Sequence, residues 1–182
     1  MLINFFMFII LIMQTDSWGE HAWETFAFVA FGSPEHLDAE DKINYKTYYE
    51  GFKCIAPCSL CRKAYGEMIK YVKIDDYNDT RDGLCYWVFI IHNLVNRKLN
   101  KQLLSLNSVI HKYENMRARC GKKDDSEKYL KCKQETQPYT MEQASIKATE
   151  ICERYKQISH KQIHDYYYSD KILDPKFEKC SV

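Results

Sequence analysis

Proline and glycine are scarce in this chain, with 4 and 6 among 182 residues. That poverty argues against collagen-like, linker-like and turn-dense architectures. With abundant Lys, Glu, Leu and Ile, it favours helices over a sandwich or barrel. An excess of one charge is also missing. The formal net charge is +1, so there is no global basic field of the kind that holds nucleic acid, and no acidic tail. No internal repeat or low-complexity tract occurs. A run of about 20 apolar residues, the length that spans a bilayer, is lacking as well. The apolar stretch MLINFFMFIILIM at residues 1–13 falls short of it. It has no basic segment before it and no small-residue cleavage site after it. Two readings stand for this stretch: a segment packed on the body or at a dimer interface, or a short membrane anchor.

What is present describes a globular chain. Apolar residues make up 46% and charged residues 28%, and the length suits one domain or one domain with an appendage. Cysteine is the unusual count, at 8: Cys54, Cys58, Cys61, Cys85, Cys120, Cys132, Cys152 and Cys180. An even number can mark a disulfide framework. This chain has enough Tyr, Phe, Ile and Leu to build a core without staples, so redox or metal chemistry competes with cross-linking.

Periodicity places helices over 17–31, 39–55, 58–74, 81–100 and 105–117. Gly32, Ser33 and Pro34 break the first from the second. Pro57 ends the second and suits the first turn of the third, and Thr80 caps the fourth. Composition then shifts: residues 120–139 are rich in Lys, Asp, Glu and Gln, a solvated linker with a short helix near 128–133. Helical spacing returns over 141–167, and 175–180 reads as a loose tail. The expected fold class is all-α. The expected division is a hydrophobic segment at 1–16, a helical domain at 17–118, and a polar linker with a helical extension at 119–182.

The main chemical signal is Pro57-Cys58-Ser59-Leu60-Cys61. Two thiols three residues apart at a helix start can close a small disulfide. The free N–H groups and positive helix end there stabilise a thiolate on the first of them, and Arg62 and Lys63 add charge. Zinc would need four ligands, usually two close pairs, and this is the one close pair in the chain. A thioredoxin-like domain would place a strand before the motif, where this sequence reads as helix. No metal is expected. A second signal lies on the fourth helix, where His92 and Asn96 share a face and Lys101 follows its end. Such a face can hydrogen-bond an aromatic cofactor and meet its phosphates. Taken by itself, it reads first as a polar stripe on a buried helix.

Taken together, Trp18-Gly19-x-x-x-Trp23, Pro57-Cys58-x-x-Cys61-Arg62 and Trp87-x-x-x-x-His92-Asn93-x-Val95-Asn96-x-x-Leu99-x-Lys101 resemble the Erv/ALR family of FAD-linked sulfhydryl oxidases, over residues 18 to about 117. The short form is most similar to members from large cytoplasmic DNA viruses. The resemblance implies a four-helix bundle plus a short fifth helix cradling FAD, and a homodimer. It implies an enzyme, an FAD-dependent thiol oxidase. Cys61 would lie against the flavin and Cys58 would face the incoming thiol. Trp18, Trp23, Trp87, His92, Asn93, Asn96 and Lys101 would contact the cofactor. The implied partners are dithiol proteins or a thioredoxin-like relay protein, and molecular oxygen. The implied setting is host cytoplasm or virion, with a secretory lumen as the alternative. The sequence departs from the family at Ala27, where a histidine is usual, at Glu20, where a basic residue is common, and at Phe89, where a cysteine is usual. The departures at Ala27 and Glu20 motivate a rival expectation, a catalytically inactive helical interaction protein, and the apolar stretch at residues 1–13 motivates another, a membrane-tethered assembly protein. Cys120, Cys132 or Cys180 are candidates for a distal shuttle disulfide.

Overall fold

The computed structural model describes residues 15–117 and 137–169. Six α-helices account for most of them: α1 (Thr15–Phe31), α2 (Ala39–Ile55), α3 (Ser59–Tyr71), α4 (Arg81–Lys98), α5 (Leu106–Met116) and α6 (Met141–Ser169), with a short 3₁₀ turn at Ile74–Asp76. The all-α expectation holds. The calls on residues 1–13, on the linker helix near 128–133 and on the tail at 175–180 lie outside the described residues. Among the described residues no helix is long and apolar enough to cross a membrane.

Local chemistry explains where the helices begin and end. Asp38 caps α2 by accepting from the Asp41 N–H at 2.8 Å, and the Asp41 side chain returns a bond to the Asp38 N–H. This reciprocal box satisfies two orphan donors. Thr80 caps α4 through the Gly83 N–H at 3.2 Å. The helix α3 stops at Tyr71, short of the expected 74, because the buried Trp87 indole takes the Val72 carbonyl at 2.9 Å. The chain then turns through 74–76, burying Ile74 and Tyr77. The helix α4 stops at Lys98, short of 100, because Asn100 adopts the left-handed region at φ 53°. Asparagine is one of the few residues that does so readily. The Lys101 N–H then bonds back to the Asn96 carbonyl at 2.8 Å, a helix-ending pattern that fixes where Lys101 sits.

Helix α4 is the centre of the body: eleven of its eighteen residues are buried. It packs against α1, α3, α5 and α6. Trp87, Tyr49, Met68, Leu84 and Ile91 fill the middle. Buried tyrosine hydroxyls are satisfied locally: Tyr49 donates to the Phe26 carbonyl at 2.9 Å, and Tyr65 to the Tyr49 carbonyl at 3.0 Å. The helix of the C-terminal extension enters the same core, burying Ala144, Ala148, Ile151, Tyr155, Ile163 and Tyr166. Its contact face is polar as well as aromatic. Tyr77 donates to Gln162 at 2.9 Å, the Tyr86 and Ser159 hydroxyls meet at 3.3 Å, and Lys147 pairs with Asp82 at 2.8 Å and with the buried Glu114 at 3.4 Å.

Candidate functional site

A cavity of about 920 Å³ opens between α1, α3, α4 and α5. Its size falls in the range of ligand and cofactor sites. Aromatic and aliphatic side chains form most of the wall. Trp23 from α1 and His92 from α4 lie face to face, with centroids 4.3 Å apart and planes within 6°. Trp18 packs on Phe52 at 6.1 Å. One turn and two turns after Cys61, Tyr65 and Met68 continue the wall, and the small Ala27 faces it from α1. Lysines gather at the edge: Lys98, Lys101 and Lys112 all reach it. Lys101 pairs with Asp16 at 3.6 Å and Lys112 with Glu24 at 2.9 Å.

The cysteine pair sits where α3 begins. Cys58 is the N-cap and its sulfur accepts the Cys61 N–H at 3.3 Å. Both are free thiols, as are Cys54 and Cys85. Hydrogen bonding from Cys61, helped by the backbone N–H groups of Cys61 and Leu60 and by Arg62, holds the Cys58 thiol below its ordinary value against the opposing effect of burial. Burial and the neighbouring Cys58 push Cys61 up, with the Thr15 hydroxyl opposing. The first cysteine is therefore the more acidic of the reduced pair. The two also face different ways. Cys61 lines the cavity and Cys58 does not.

Of the residues singled out in the sequence, Trp18, Trp23, His92, Asn96, Lys101 and Cys61 come together on this cavity. Trp87 and Asn93 do not line it. Trp87 is wholly buried behind the wall, against Tyr49 at 5.3 Å. Asn93 makes a paired contact with Leu104, giving and taking backbone hydrogen bonds at 3.0 and 2.9 Å. It fastens the loop that carries Lys101. Lys98, Lys112, Tyr65, Phe52 and Cys85 line the cavity without having been singled out. Tyr65 follows from spacing, four residues after Cys61, and Lys112 needs the position of α5. The glutamate at position 20 and the phenylalanine at 89 both reach the cavity wall. Cys152 is disulfide-bonded. Cys120, Cys132 and Cys180, the shuttle candidates, lie outside the described residues. Among the described residues no group of three or more His, Cys, Asp or Glu gathers as a metal site.

His92 carries a pH signature. Burial, reinforced by the Lys101 charge, pushes its pKa from 6.5 down to about 4. The folded value lies below the unfolded one, so stability is intact above about pH 6.5 and falls as pH drops toward 4. The loss can reach about 3 kcal/mol. His92→Gln is expected to flatten this limb: urea midpoints taken between pH 7 and pH 4 should fall less in the variant than in the unaltered protein. Parallel slopes would show that the imidazole charges freely in the fold.

Comparison with known proteins adds a consistent picture. Residues 20–115 match the model of the Erv1/Alr family. A probable FAD-linked sulfhydryl oxidase, R368 of Acanthamoeba polyphaga mimivirus, is 32% identical over 103 residues, covering 56% of this chain and 72% of that protein. An FAD-linked sulfhydryl oxidase of African swine fever virus is 29% identical over 105 residues, covering 53% and 80%. The FAD-binding domain of Erv1 from Saccharomyces cerevisiae shares the fold, with a TM-score of 0.54 at 24% identity over 58% of this chain and 99% of that one. Helix α6 lies beyond the matched residues.

Proposed function

The chain belongs to the Erv1/Alr family, and from that premise we propose that it is an FAD-linked sulfhydryl oxidase that makes disulfides in dithiol proteins. The observation that carries the reading is the position of Cys61 on the wall of an aromatic, lysine-edged cavity, with Cys58 turned away from it. The lining suits FAD: a flat aromatic surface at Trp23 and His92 for a ring system, and Lys98, Lys101 and Lys112 for a pyrophosphate. Trp18, Trp23, His92, Asn96 and Lys101 would hold it. Trp87 and Asn93 act behind them as positioning residues.

In this mechanism a substrate thiolate attacks Cys58 of the oxidised pair. A sulfur–sulfur bond forms between substrate and Cys58, and Cys61 leaves as a thiolate. The second substrate thiol attacks the mixed disulfide and releases Cys58. The substrate leaves oxidised by two electrons, and Cys58 and Cys61 hold those electrons as a dithiol. The low pKa of Cys58 suits its release in that second step. Bound FAD would supply the two-electron acceptor that returns the pair to a disulfide and hands the electrons to dioxygen, giving hydrogen peroxide. The protein's own part is to hold Cys61 on the cavity wall and Cys58 outside it.

The partners in this reading are dithiol proteins or a thioredoxin-like relay, dioxygen, and a second copy of the chain. The named relatives are viral, which supports the host cytoplasm or the virion as its setting. Purified protein is expected to be yellow, with a flavin absorption band, and to consume oxygen when dithiothreitol is added in air. A colourless protein that stays inactive after added FAD would overturn the reading in favour of a helical interaction protein.

A further inference from the structure

Beside the cysteine pair, on the side away from the cofactor cavity, α2 and α3 enclose a groove of about 640 Å³. Its walls carry six cations and three carboxylates, a local charge of +3 (six minus three) in a chain whose total is +1. The remainder of the molecule therefore sums to −2, and the positive field is local. The carboxylates are already engaged inside the groove. Glu50 pairs with Lys46 at 3.8 Å and Lys53 at 3.5 Å, Glu67 with Lys70 at 2.6 Å, and Asp75 with Lys46. Arg62, Lys63 and Lys73 have no carboxylate partner among the described residues. Arg62 is held against the redox turn, donating to the Ala56 carbonyl, and its own N–H bonds the Cys58 carbonyl at 3.0 Å. The groove thus reaches the redox turn through Arg62.

Two large apolar side chains stand exposed on either side of the same turn: Ile55 at 75%, and Leu60, which also reaches the edge of the cofactor cavity, at 73%. They flank Cys58 by three and two positions. An exposed apolar pair next to a charged groove is the composition of an interaction site, with an apolar centre and a polar rim. Cys58 itself is only 6% exposed, so a thiol that reaches it must come close and be held.

We propose that Ile55, Leu60 and the groove lined by Arg62, Lys63 and Lys73 form a docking surface for a dithiol protein segment that carries acidic residues and an apolar residue beside its reactive cysteine. The proposal rests on the reading that Cys58 receives the substrate thiol. It adds the substrate class: acidic around the cysteine, not basic.

The test uses the full chain and three reduced model peptides with the same Cys-x-x-Cys core and a neighbouring leucine. One has acidic flanks, one neutral and one lysine flanks. The kcat/KM for each is expressed relative to the same protein's turnover of dithiothreitol. The unaltered protein is expected to favour the acidic over the lysine peptide about tenfold at low salt, and the preference should shrink in high salt. The double variant Lys63→Glu, Lys73→Glu should invert it. Equal use of the three peptides, or a preference unmoved by the charge reversal, overturns the proposal. A protein that turns over no dithiothreitol would instead remove the oxidase reading. Docking would then be decided by fluorescence anisotropy with serine-substituted copies of the peptides: tighter binding of the acidic one, lost in the double variant, upholds it, and equal binding overturns it.

Discussion

Cys61→Ser is expected to lower dithiol-driven oxygen uptake by on the order of 10³-fold or more while leaving the flavin absorption band in place. The two halves of this result have separate causes. Cys61 is one small residue on a large wall, and the stacked Trp23 and His92 and the lysines at the edge are untouched by the change. Serine keeps nearly the same volume, so the cavity survives. The chemistry does not, because a hydroxyl cannot close a disulfide with Cys58, and without that bond the substrate thiol has nothing to break. Loss of the absorption band together with activity would mean that Cys61 holds the site's shape instead of passing electrons. The partner substitution sharpens the assignment. In Cys58→Ser the coupling that raises Cys61 is removed, leaving burial as the cause that raises it and the Thr15 hydroxyl against it. The pH profile of Cys61 alkylation should move down. A profile that stays put would show that the two sulfurs do not share a proton in the reduced pair.

Much of this architecture is legible from residue spacing. The bounds of α2 follow from Asp38, Asp41 and the halt before Pro57, and the start of α4 follows from Thr80, because capping is a local event. The ends of α3 and α4 depend on tertiary contacts: one on a carbonyl claimed by Trp87, the other on a left-handed Asn100. The residues singled out on α4 divide in the same way. His92 and Asn96 lie about 40° apart around a helix, whereas Asn93 is about 100° and Trp87 about 140° from His92. Angular position turns those two away from the face that His92 and Asn96 share, even though the resemblance motif contains all four. The cavity's lysine on α5, Lys112, has no such local signal, since its approach depends on how α5 crosses α1. The role of α6 is also hidden. The charged linker before it reads as a boundary, while its Tyr155 and Tyr166 pack on Tyr77, Tyr86 and Tyr71, and its Ser159 and Gln162 bond Tyr86 and Tyr77, all more than sixty residues away in sequence.

One residue does report that meeting, and its replacement is the stability test of largest expected effect. Gly83→Ala should destabilise the protein by on the order of 3 kcal/mol or more. Helix propensity alone argues the reverse, since alanine gains up to about 1 kcal/mol over glycine in a helix interior. Space decides the sign. A Cβ at Gly83 would stand 2.0 Å from the Tyr77 carbonyl oxygen and 2.4 Å from the Tyr155 hydroxyl of α6. The hydroxyl belongs to a side chain that can swing; the carbonyl is backbone and cannot yield without moving the 3₁₀ turn that buries Ile74 and Tyr77. That movement would also disturb the Tyr77 bond to Gln162 and the Thr80 cap of α4. Gly51→Ala supplies the contrast, because it too lies inside a helix and nothing stands within 4 Å of its added carbon. It should stabilise slightly or leave the midpoint unchanged. At about 2–4 °C per kcal/mol for a chain of this size, Gly83→Ala should lower the melting temperature by roughly 6–12 °C. If both variants melt at or above the unaltered protein, the Tyr77 carbonyl does not stand against the first turn of α4 as described.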